Sequence, residues 1–493
     1  MPTLDNIIGD RQKKLEILKK EGIDSYPEKC QRTDSIENIL NRFKELSENQ
    51  TEIHLVGRII SQRQHGALIF IDLKDQTAKI QLLFKKDILA AKDFKIASDL
   101  LDLGDFIEAT GVLFLTQAGE KTLQVNSFKI LTKSLRPIPP RWYGLEDEEE
   151  RYRRRYLDLL ANEAVKNRFI LRSKVIWTLR QFLEKENYLE VETPILQILY
   201  GGAKAKPFKT HLNALDLDLY LRIAPELYLK RLIIGGFEKI YEYAKNFRNE
   251  GMDREHNPEF SMIELYAAYQ DRDYLFQFIE NLMIYLLEQL KEVLPLKDGY
   301  LTTQGKKIKI QKPFKRLTFK DFFKKTAFID IDHDDLNVLR KAAKKLEVEC
   351  LSTDDRIKII DNIFTKIRNQ LIEPTFIIDH PLETSPLAKK NNFDPSKTLR
   401  LQFYLAGWEL MNGFAELNDP LDQRQRFEEQ QKRKKLGDEE SHPLDEDFIE
   451  ALEYGMPPTA GLGIGIDRLV AILTDAPNIK EVIFFPLMRP KNQ

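Results

Sequence analysis

The stretch whose residue types are best suited to chemistry spans residues 247–266 and reads FRNEGMDREHNPEFSMIELY. It interleaves basic and acidic side chains with aromatic and aliphatic ones, which is more typical of a binding site than of a plain surface. Gly251 permits a turn, and Pro258 cannot donate a hydrogen bond to a neighbouring strand, so the pattern predicts a loop between two strands. The flanking segments YEYAKNF and EFSMIELYAAY would be those strands. Taken alone, the stretch also fits a solvated hairpin tip whose charges form ordinary ion pairs.

Two stretches further along the chain carry residue types suited to binding a ligand. Residues 399–420 (LRLQFYLAGWELMNGFAELNDP) predict a hairpin that turns near Ala406 and Gly407 and brings position 402 opposite position 409. Residues 461–473 (GLGIGIDRLVAIL) place glycines at alternate positions of a strand, so that one face lacks side chains and a flat ring can approach it. These glycines fit neither the dinucleotide-binding fingerprint nor the phosphate-binding loop, and tight strand packing explains them equally well when they are taken alone.

Patterns upstream predict the elements that would support these stretches. Residues 3–21 predict one amphipathic helix, whose basic face fits either solvent or RNA phosphate. Five short alternating segments between residues 53 and 132, with a charged helical stretch after the third, predict an oligonucleotide-binding (OB) barrel. Residues 162–187 carry apolar side chains at helical spacing and run into the strand YLEVETPIL. Residues 201–236 begin with a glycine pair and then predict strands and a helix that begins at Pro225.

Composition leaves the class of partner open and argues against several kinds of site. The 493 residues include 76 basic and 78 acidic ones, so a nucleic-acid partner would need a local basic patch. The two cysteines, Cys30 and Cys350, lie far apart and without ligand spacing, which argues against a disulfide framework or a zinc site. The chain has neither a secretory signal nor an apolar run of the roughly 20 residues needed to cross a bilayer. We therefore expect a cytoplasmic protein without a membrane partner.

Together these motifs resemble those of class II aminoacyl-tRNA synthetases. FRNEG followed by HNPEF is similar to motif 2 of lysyl-tRNA synthetases in particular. The helix and strand that end at Pro194 resemble motif 1, and GLGIGIDR resembles motif 3. The resemblance covers nearly the whole chain. It implies an α+β fold, in which an N-terminal OB-fold β-barrel precedes an antiparallel sheet flanked by helices.

The resemblance and the composition of the connecting segments predict how the chain is divided. Prolines and opposed charge runs in residues 135–155 are typical of a linker. The predicted parts are a helical extension at 1–50, an OB-fold anticodon-binding domain at 51–134, a linker at 135–160, and a catalytic domain at 161–493 with a helical insertion at about 315–395.

For the triphosphate end of the site, the resemblance implies two catalytic cations, Arg248 and Arg468. It also implies a magnesium ion held by Glu409 and Glu416. The residues that it implies for ATP binding are Arg248, Glu250, His256, Phe260, Glu409, Gly463 and Arg468.

The chain departs from the family pattern at three positions near this site. Gln402 stands where a glutamate is usual, Trp408 where a basic residue is usual, and Lys206 where an arginine is usual. Because a neutral amide oxygen binds magnesium more weakly than a carboxylate does, Gln402 weakens the implied metal set.

For the amino-acid end, the resemblance implies a pocket for lysine. The residues implied are Gly202, Glu226, Arg248, Glu264, Tyr266, Asn412, Phe414 and Glu416. Several carboxylates and a hydroxyl suit a guest ammonium, because a single buried carboxylate leaves some of its donors unsatisfied. Glu226 by itself also fits an ordinary first-turn carboxylate of a helix.

For the barrel, the resemblance implies a face that reads the anticodon. The residues implied are Arg63, Phe70, Gln81 and Glu120. Phe70 would stack on the central base, while Gln81 and Glu120 would read uridine edges. By its strand position alone, Phe70 fits a core residue equally well.

The implied function is ATP-dependent attachment of L-lysine to tRNA(Lys) through a lysyl-adenylate, by a homodimer. An aspartyl- or asparaginyl-tRNA synthetase shares the layout, but a pocket for aspartate would need a cation at the depth of these carboxylates. A paralogue that lysylates a protein would be expected to lack the N-terminal barrel. A catalytically weak RNA-binding paralogue is the non-enzyme alternative, and loss of Arg248 or Arg468 would have favoured it.

Overall fold

The computed structural model describes residues 3–138, 147–352, 354–435 and 443–491, without the side chains of 433–435. The chain divides into two compact units, Met1–Leu145 and Glu146–Gln493. Among the described helices, none combines the length and the apolar content that a bilayer crossing requires.

The first unit contains a closed five-stranded barrel with the strand order β1-β2-β3-β5-β4. Its elements are α1 Leu4–Lys20, α2 Ile36–Asn41, α3 Phe43–Glu48, β1 Ile53–His65, β2 Leu68–Lys74, β3 Lys79–Lys85, α4 Ala91–Asp99, β4 Phe106–Leu115 and β5 Lys121–Thr132. Buried and half-buried residues alternate along β2, as expected for a strand with one face toward a core. The predicted OB barrel, with its helix after the third strand, is confirmed.

The helices of the first 50 residues belong to this unit and do not form a separate extension. Leu18 of α1, Ile36 and Ile39 of α2, and Phe43 and Leu46 of α3 are buried in the same apolar core as the barrel strands. An amphipathic helix must bury its apolar stripe against some partner, and the sequence alone did not indicate that this partner is the barrel.

The second unit is built on an eight-stranded sheet with the order β15-β16-β17-β18-β19-β11-β10-β6. Its first elements are α5 Glu148–Arg153, α6 Arg155–Ala161, α7 Glu163–Lys185, β6 Leu189–Glu190, β7 Leu196–Gln197, β8 Phe208–Leu212, β9 Leu217–Leu221, α8 Glu226–Ile234, β10 Lys239–Phe247, β11 Glu259–Ala268, α9 Arg272–Gln289, β12 Leu296–Lys297, β13 Tyr300–Thr303, β14 Lys306–Lys309 and β15 Lys315–Thr318. The remaining elements are α10 Phe319–Thr326, α11 Leu336–Lys345, α12 Arg356–Ile367, β16 Thr375–Ile378, β17 Arg400–Leu405, β18 Trp408–Ala415, α13 Pro420–Lys435, α14 Glu446–Glu453, β19 Thr459–Gly465 and α15 Ile466–Leu473. The predicted antiparallel sheet flanked by helices is confirmed.

The predicted linker at 135–160 has a different outline in the structure. Residues 139–146 lie outside the described residues, and the part from Glu148 onward forms α5 and α6 of the second unit. Arg155 of α6 is fully buried and pairs with Asp158 at 2.8 Å. The opposed charge runs pair along a helix, as Arg154 and Glu150 do at 3.1 Å, and do not mark an extended connection.

The predicted insertion at about 315–395 also differs from its outline. It contains α10, α11 and α12, but β15 and β16 at its two ends are strands of the eight-stranded sheet and pair with each other in parallel. A parallel pairing across so long a crossover has no local sequence signal, so these strands were not predicted.

The hairpin of β17 and β18 turns at Ala406 and Gly407, as predicted, and both residues have positive φ. The predicted register, with position 402 opposite 409, is wrong. An irregularity between Phe403 and Tyr404 shifts the pairing, so that Tyr404 faces Glu409 and Gln402 faces Asn412. A bulge of this kind inserts an extra residue on one strand, which alternation in the sequence does not reveal.

Candidate active site

The central strands of the eight-stranded sheet line a cavity of about 670 Å³. All of the residues that the sequence predicts for the catalytic, ATP-binding and lysine-binding sets line this one cavity. They are Gly202, Glu226, Arg248, Glu250, His256, Phe260, Glu264, Tyr266, Glu409, Asn412, Phe414, Glu416, Gly463 and Arg468.

Strand register places the glycines of β19 between the polar residues of its two neighbours. Glu264 of β11 and Asn412 of β18 both lie opposite Gly463. Tyr266 and Phe414 both lie opposite Gly461. Because residues directly opposite each other in antiparallel strands share a face, these side chains all project from the same side of the sheet.

The glycines of β19 make room for different groups. A Cβ atom on Gly461 would lie 1.9 Å from Oε1 of Glu416 and 2.7 Å from the ring of Tyr266. At Gly463 the nearest atom to such a Cβ is the methyl carbon of Met262, at 3.0 Å. The absence of a side chain at Gly461 therefore leaves room for the carboxylate of Glu416. The sequence had predicted only that the glycine face leaves room for a flat ring.

Three carboxylates form the acidic end of the cavity. Glu226, Glu264 and Glu416 are 6%, 5% and 1% exposed. Burial, together with the negative charge of Glu226, raises the pKa of Glu264 to about 8. The hydroxyl of Tyr266 donates to Oε2 of Glu264 at 3.3 Å. A positively charged guest would replace the hydration that these groups lose on burial.

A cation that the sequence analysis missed lies among these carboxylates. Lys230 is 0% exposed, and its ammonium donates to Oε1 of Glu226 at 2.7 Å and pairs with Oε2 of Glu416. Burial opposes the charge of Lys230, but the two carboxylates raise its pKa above the ordinary value. The signal was the spacing of Glu226 and Lys230 in PELYLK, which places both on one side of α8. Oε1 of Glu416 is buried and has no hydrogen-bond partner among the described residues.

At the opposite end of the cavity, the loop of residues 248–258 folds onto Arg468. Nη2 of Arg468 lies 2.9 Å from Nε2 of His256, and Nδ1 of His256 lies 2.8 Å from Asp253. Since arginine can only donate, Nε2 of His256 accepts and Nδ1 carries the proton toward Asp253. The guanidinium of Arg248 lies 5.0 Å from the ring centre of Phe260, and its buried Nε has no hydrogen-bond partner within the described ranges of the chain.

The implied magnesium site fits the side chains only in part. The hydroxyl of Tyr404 lies 3.3 Å from Oε1 of Gln402 and 3.5 Å from Oε2 of Glu409, so these two oxygens converge despite the altered register. Among the described residues, no group of three His, Cys, Asp or Glu side chains is arranged to hold a metal ion. Glu416 does not fit the role of metal ligand, because its carboxylate is paired with the ammonium of Lys230. An ion beside Glu409 would need most of its oxygen ligands from a bound triphosphate.

A buried carboxylate beside Arg468 supports this end of the site. Asp467 accepts from the backbone N–H of Ser261 at 2.8 Å and pairs with Arg172 of α7 at 2.7 Å. Ser261 follows Phe260 on β11. The contact therefore fixes the start of α15 against both β11 and α7, and it was not predicted from the sequence.

Trp408, which stands where the family pattern has a basic residue, is buried and contacts Arg254 of the loop of residues 248–258. The guanidinium of Arg254 lies 5.2 Å from the ring centre of Trp408, within range of a cation–π contact.

Lys206 contributes its backbone carbonyl, which accepts from the N–H of Asn249 at 2.7 Å.

In the first unit, the residues predicted to read an anticodon occupy neighbouring strands. Arg63 of β1 lies directly opposite Phe70 of β2, which is half-buried. Gln81 of β3 donates to the hydroxyl of Thr122 at 2.9 Å, and that hydroxyl donates to the backbone carbonyl of Glu120. The structure therefore pairs Arg63 with Phe70 and links Gln81, through Thr122, to the backbone of Glu120.

Comparison with known proteins identifies relatives of both units. The family described as tRNA synthetases class II (D, K and N) matches residues 147–489, and the family described as OB-fold nucleic acid binding domain matches residues 53–131. A lysine–tRNA ligase of Carboxydothermus hydrogenoformans is 46% identical over 492 residues, which are 99% of each chain. One of Fervidobacterium nodosum is 44% identical over 98% of this chain and 94% of its own. One of Aquifex aeolicus is 48% identical over 90% of this chain and 74% of its own.

Replacing Glu264 by glutamine should stabilise the ligand-free protein at alkaline pH. A carboxyl whose pKa is about 8 in the folded chain, against roughly 4.3 in the unfolded chain, contributes stability at low pH that is lost as pH rises from about 4 to about 8. An amide has no such loss. In urea titrations without ligand, we expect Glu264→Gln to match the natural protein within about 1 kcal/mol near pH 5 and to exceed it by up to about 5 kcal/mol above pH 8. A gap that stays constant with pH would contradict this.

Proposed function

Because the chain belongs to the lysine–tRNA ligase family of the class II tRNA synthetases, we propose that it attaches L-lysine to tRNA(Lys) in two steps, of which the first consumes ATP. The observation that carries the proposal for this chain is the acidic end of the cavity. Three buried carboxyl groups face one internal ammonium, and the pKa of Glu264 is raised to about 8, so a guest cation can take the place of the proton that this carboxyl otherwise holds. The buried Oε1 of Glu416, without a hydrogen-bond partner in the described part of the chain, is the acceptor that a guest ammonium would use.

The aspartyl and asparaginyl alternatives fit this cavity less well. Lys230 is a cation at the depth of the carboxylates, but it is already paired with Glu226 and Glu416. A guest carboxylate beside Lys230 would lie close to the carboxylates of Glu226 and Glu416. Like charges at close range in a buried site are unfavourable. A catalytically silent paralogue is disfavoured because Arg248 and Arg468 are both present.

The first step would be in-line attack of a lysine carboxylate oxygen on the α-phosphorus of ATP, with pyrophosphate leaving. Arg248 would bridge the attacking carboxylate and the α-phosphate, and Arg468 would lie at the far end of the triphosphate. Phe260 and the face at Gly463 would hold the adenine between them. Glu250 would contact the nucleotide base, and His256 would exchange its contact with Arg468 for one to phosphate.

Magnesium bound beside Glu409 would offset the negative charge of the triphosphate and the leaving pyrophosphate. In the second step, a terminal ribose hydroxyl of tRNA would attack the carbonyl carbon of the adenylate, and AMP would leave. Such transfers depend on alignment and charge neutralisation more than on a protein base. A cytoplasmic location follows from the proposal, because ATP and tRNA are its substrates.

The decisive experiment is ATP–pyrophosphate exchange with each of the twenty amino acids in turn. We expect exchange with lysine only, and exchange with aspartate or asparagine instead would overturn the proposal. Arg248→Ala should lower lysine-dependent exchange by about 100-fold or more, because its charge acts on the reacting groups. Arg424→Ala, which removes an arginine paired with Glu446 outside the cavity, is the matched control and should keep full exchange.

The anticodon-reading role proposed for the barrel rests on Phe70. Its ring lies on the outer face of β2, between Arg63 of one neighbouring strand and Leu83 of the other. A half-buried ring in this position offers a face on which an unpaired base can stack.

We expect Phe70→Ala to weaken tRNA binding by about 1–3 kcal/mol, seen as a rise of roughly 5- to 150-fold in the KM for tRNA during aminoacylation. Exchange without tRNA should not change. A variant that loses exchange as well would contradict a role confined to RNA reading.

A homodimer is proposed on the strength of an exposed apolar surface in the first elements of the second unit. Trp177 of α7 is 62% exposed and Ile198 is 63% exposed, and Ile170, Leu189 and Leu196 are exposed as well. The opposite face of α7 is buried in the main core through residues such as Val175 and Leu179. A helix that is apolar on both faces needs a second partner.

A charge on this surface should prevent association. We expect Trp177→Glu to sediment as a monomer under conditions in which the natural protein sediments as a dimer. Tyr454→Glu, which changes an 81% exposed aromatic residue beyond the end of α14, is the control and should remain dimeric. Dimers of Trp177→Glu would place the interface elsewhere.

A further inference from the structure

Lys230 occupies a closed position behind the carboxylates of the cavity. Its ammonium is 0% exposed and lies 5.5 Å from the ring centre of Phe414 and 6.0 Å from that of Phe448. Phe448 belongs to an apolar cluster with Ile449 and Leu452 of α14. The ammonium of Lys230 therefore lies near two aromatic rings as well as two carboxylates, and aromatic rings are suitable neighbours for an ammonium.

The ammonium binds one oxygen of each of two carboxylates that come from distant parts of the chain. Glu226 opens α8, and Glu416 follows β18. The contact to Oε2 of Glu416 leaves Oε1 on the side of Gly461 and Tyr266, where a Cβ at position 461 would collide with it. The orientation of this free oxygen is thus determined by Lys230 on one side and by the missing side chain of Gly461 on the other.

Without Lys230, the two buried carboxylates would lose the ammonium that pairs with both of them. Removing one partner from a buried ion pair leaves an uncompensated charge, which the structure relieves by moving the group or by taking up a proton. Either change would alter the acceptor that a guest ammonium meets. The same ammonium also repels a second cation, so a guest amine stops at Glu416 and does not advance toward Phe448.

We propose that Lys230 is a positioning residue that determines recognition of the substrate amine, because it holds Glu226 and Glu416 in place and directs Oε1 of Glu416 toward the guest. The inference rests on the proposed function, since it concerns the same pocket. It assigns Lys230 no contact with ATP and no step of the reaction. Its loss should therefore affect the binding of lysine and not the binding of ATP.

The test compares Lys230→Met with the natural full-length protein in ATP–pyrophosphate exchange. We expect the KM for lysine to rise at least about 10-fold, as for loss of a buried charged contact worth more than about 1.4 kcal/mol. The KM for ATP should stay within about twofold. Unchanged KM values for both substrates, or equal rises in both, would overturn the inference.

The chain offers a matched control for a purely structural role. Lys133 of the first unit is also 0% exposed, and its ammonium binds Asp105 at 2.7 Å as well as Asp102. Lys133→Met removes the same kind of buried ion-pair cluster, so it should lower thermal stability while the KM for lysine in exchange stays unchanged. A rise of the lysine KM in both variants would attribute the effect to stability and would contradict a positioning role for Lys230.

A second variant keeps the inference testable if Lys230→Met does not fold. Lys230→Ala leaves room for a small amine, and we expect ethylammonium or propylammonium to lower its KM for lysine while having no such effect on the natural protein. Absence of rescue, together with normal folding by circular dichroism, would count against the inference. The natural protein is assayed first. If it fails to catalyse exchange with lysine, the proposed function is rejected. If it does catalyse exchange and the Lys230 variant has an unchanged KM for lysine, only this inference is rejected.

Discussion

The contacts around the cavity of the second unit depend on one constraint, which is that burying a carboxylate without a partner is unfavourable. Glu226, Glu264 and Glu416 are nearly inaccessible to solvent, and each would be strongly disfavoured as an isolated charge at that depth. Lys230 stabilises these carboxylates by an ion pair, and the hydroxyl of Tyr266 donates a hydrogen bond to Glu264. Burial raises the pKa of Glu264 to about 8, so this carboxyl is mostly protonated near neutral pH. A cationic guest would take the place of the proton on Glu264, so the cluster favours a cation over an anion.

The scaffold for this cluster is the pairing of three neighbouring strands. With β19 between β11 and β18, the alternate glycines of β19 lie beside side chains from both neighbours. A shift of one residue in either pairing would send those side chains to the other face of the sheet. The positions of Asn412 and Phe414 are therefore as dependent on the extra residue that β18 carries at the irregularity and on the turn at Gly407 as on their own identities.

At the cationic end, contacts within the protein hold the loop of residues 248–258. Glu255 pairs with Arg368 at 3.0 Å, Arg254 donates to the carbonyl of Pro477 at 2.7 Å, and His256 accepts from Arg468. All three partners belong to segments that follow the loop in the chain. If a triphosphate engaged Arg468 as proposed, it would have to replace some of these contacts, so binding at this end would involve an exchange of partners.

The sequence by itself determined the features that depend on neighbours along the chain. It was sufficient for the barrel strands, for the helix before the loop hairpin and for the glycines at alternate positions. The resemblance of its motifs to a known family added a set of site residues, and the structure gathers these around one cavity. Only the tertiary structure decided that Lys230 faces Glu416, that Gln402 faces Asn412, that the N-terminal helices share the core of the barrel, and that β15 pairs with β16. The physical reason is that hydrophobic period and turn chemistry act over a few residues, whereas the counter-charge of a buried group and the partner of an apolar face are chosen by burial, which brings distant segments together.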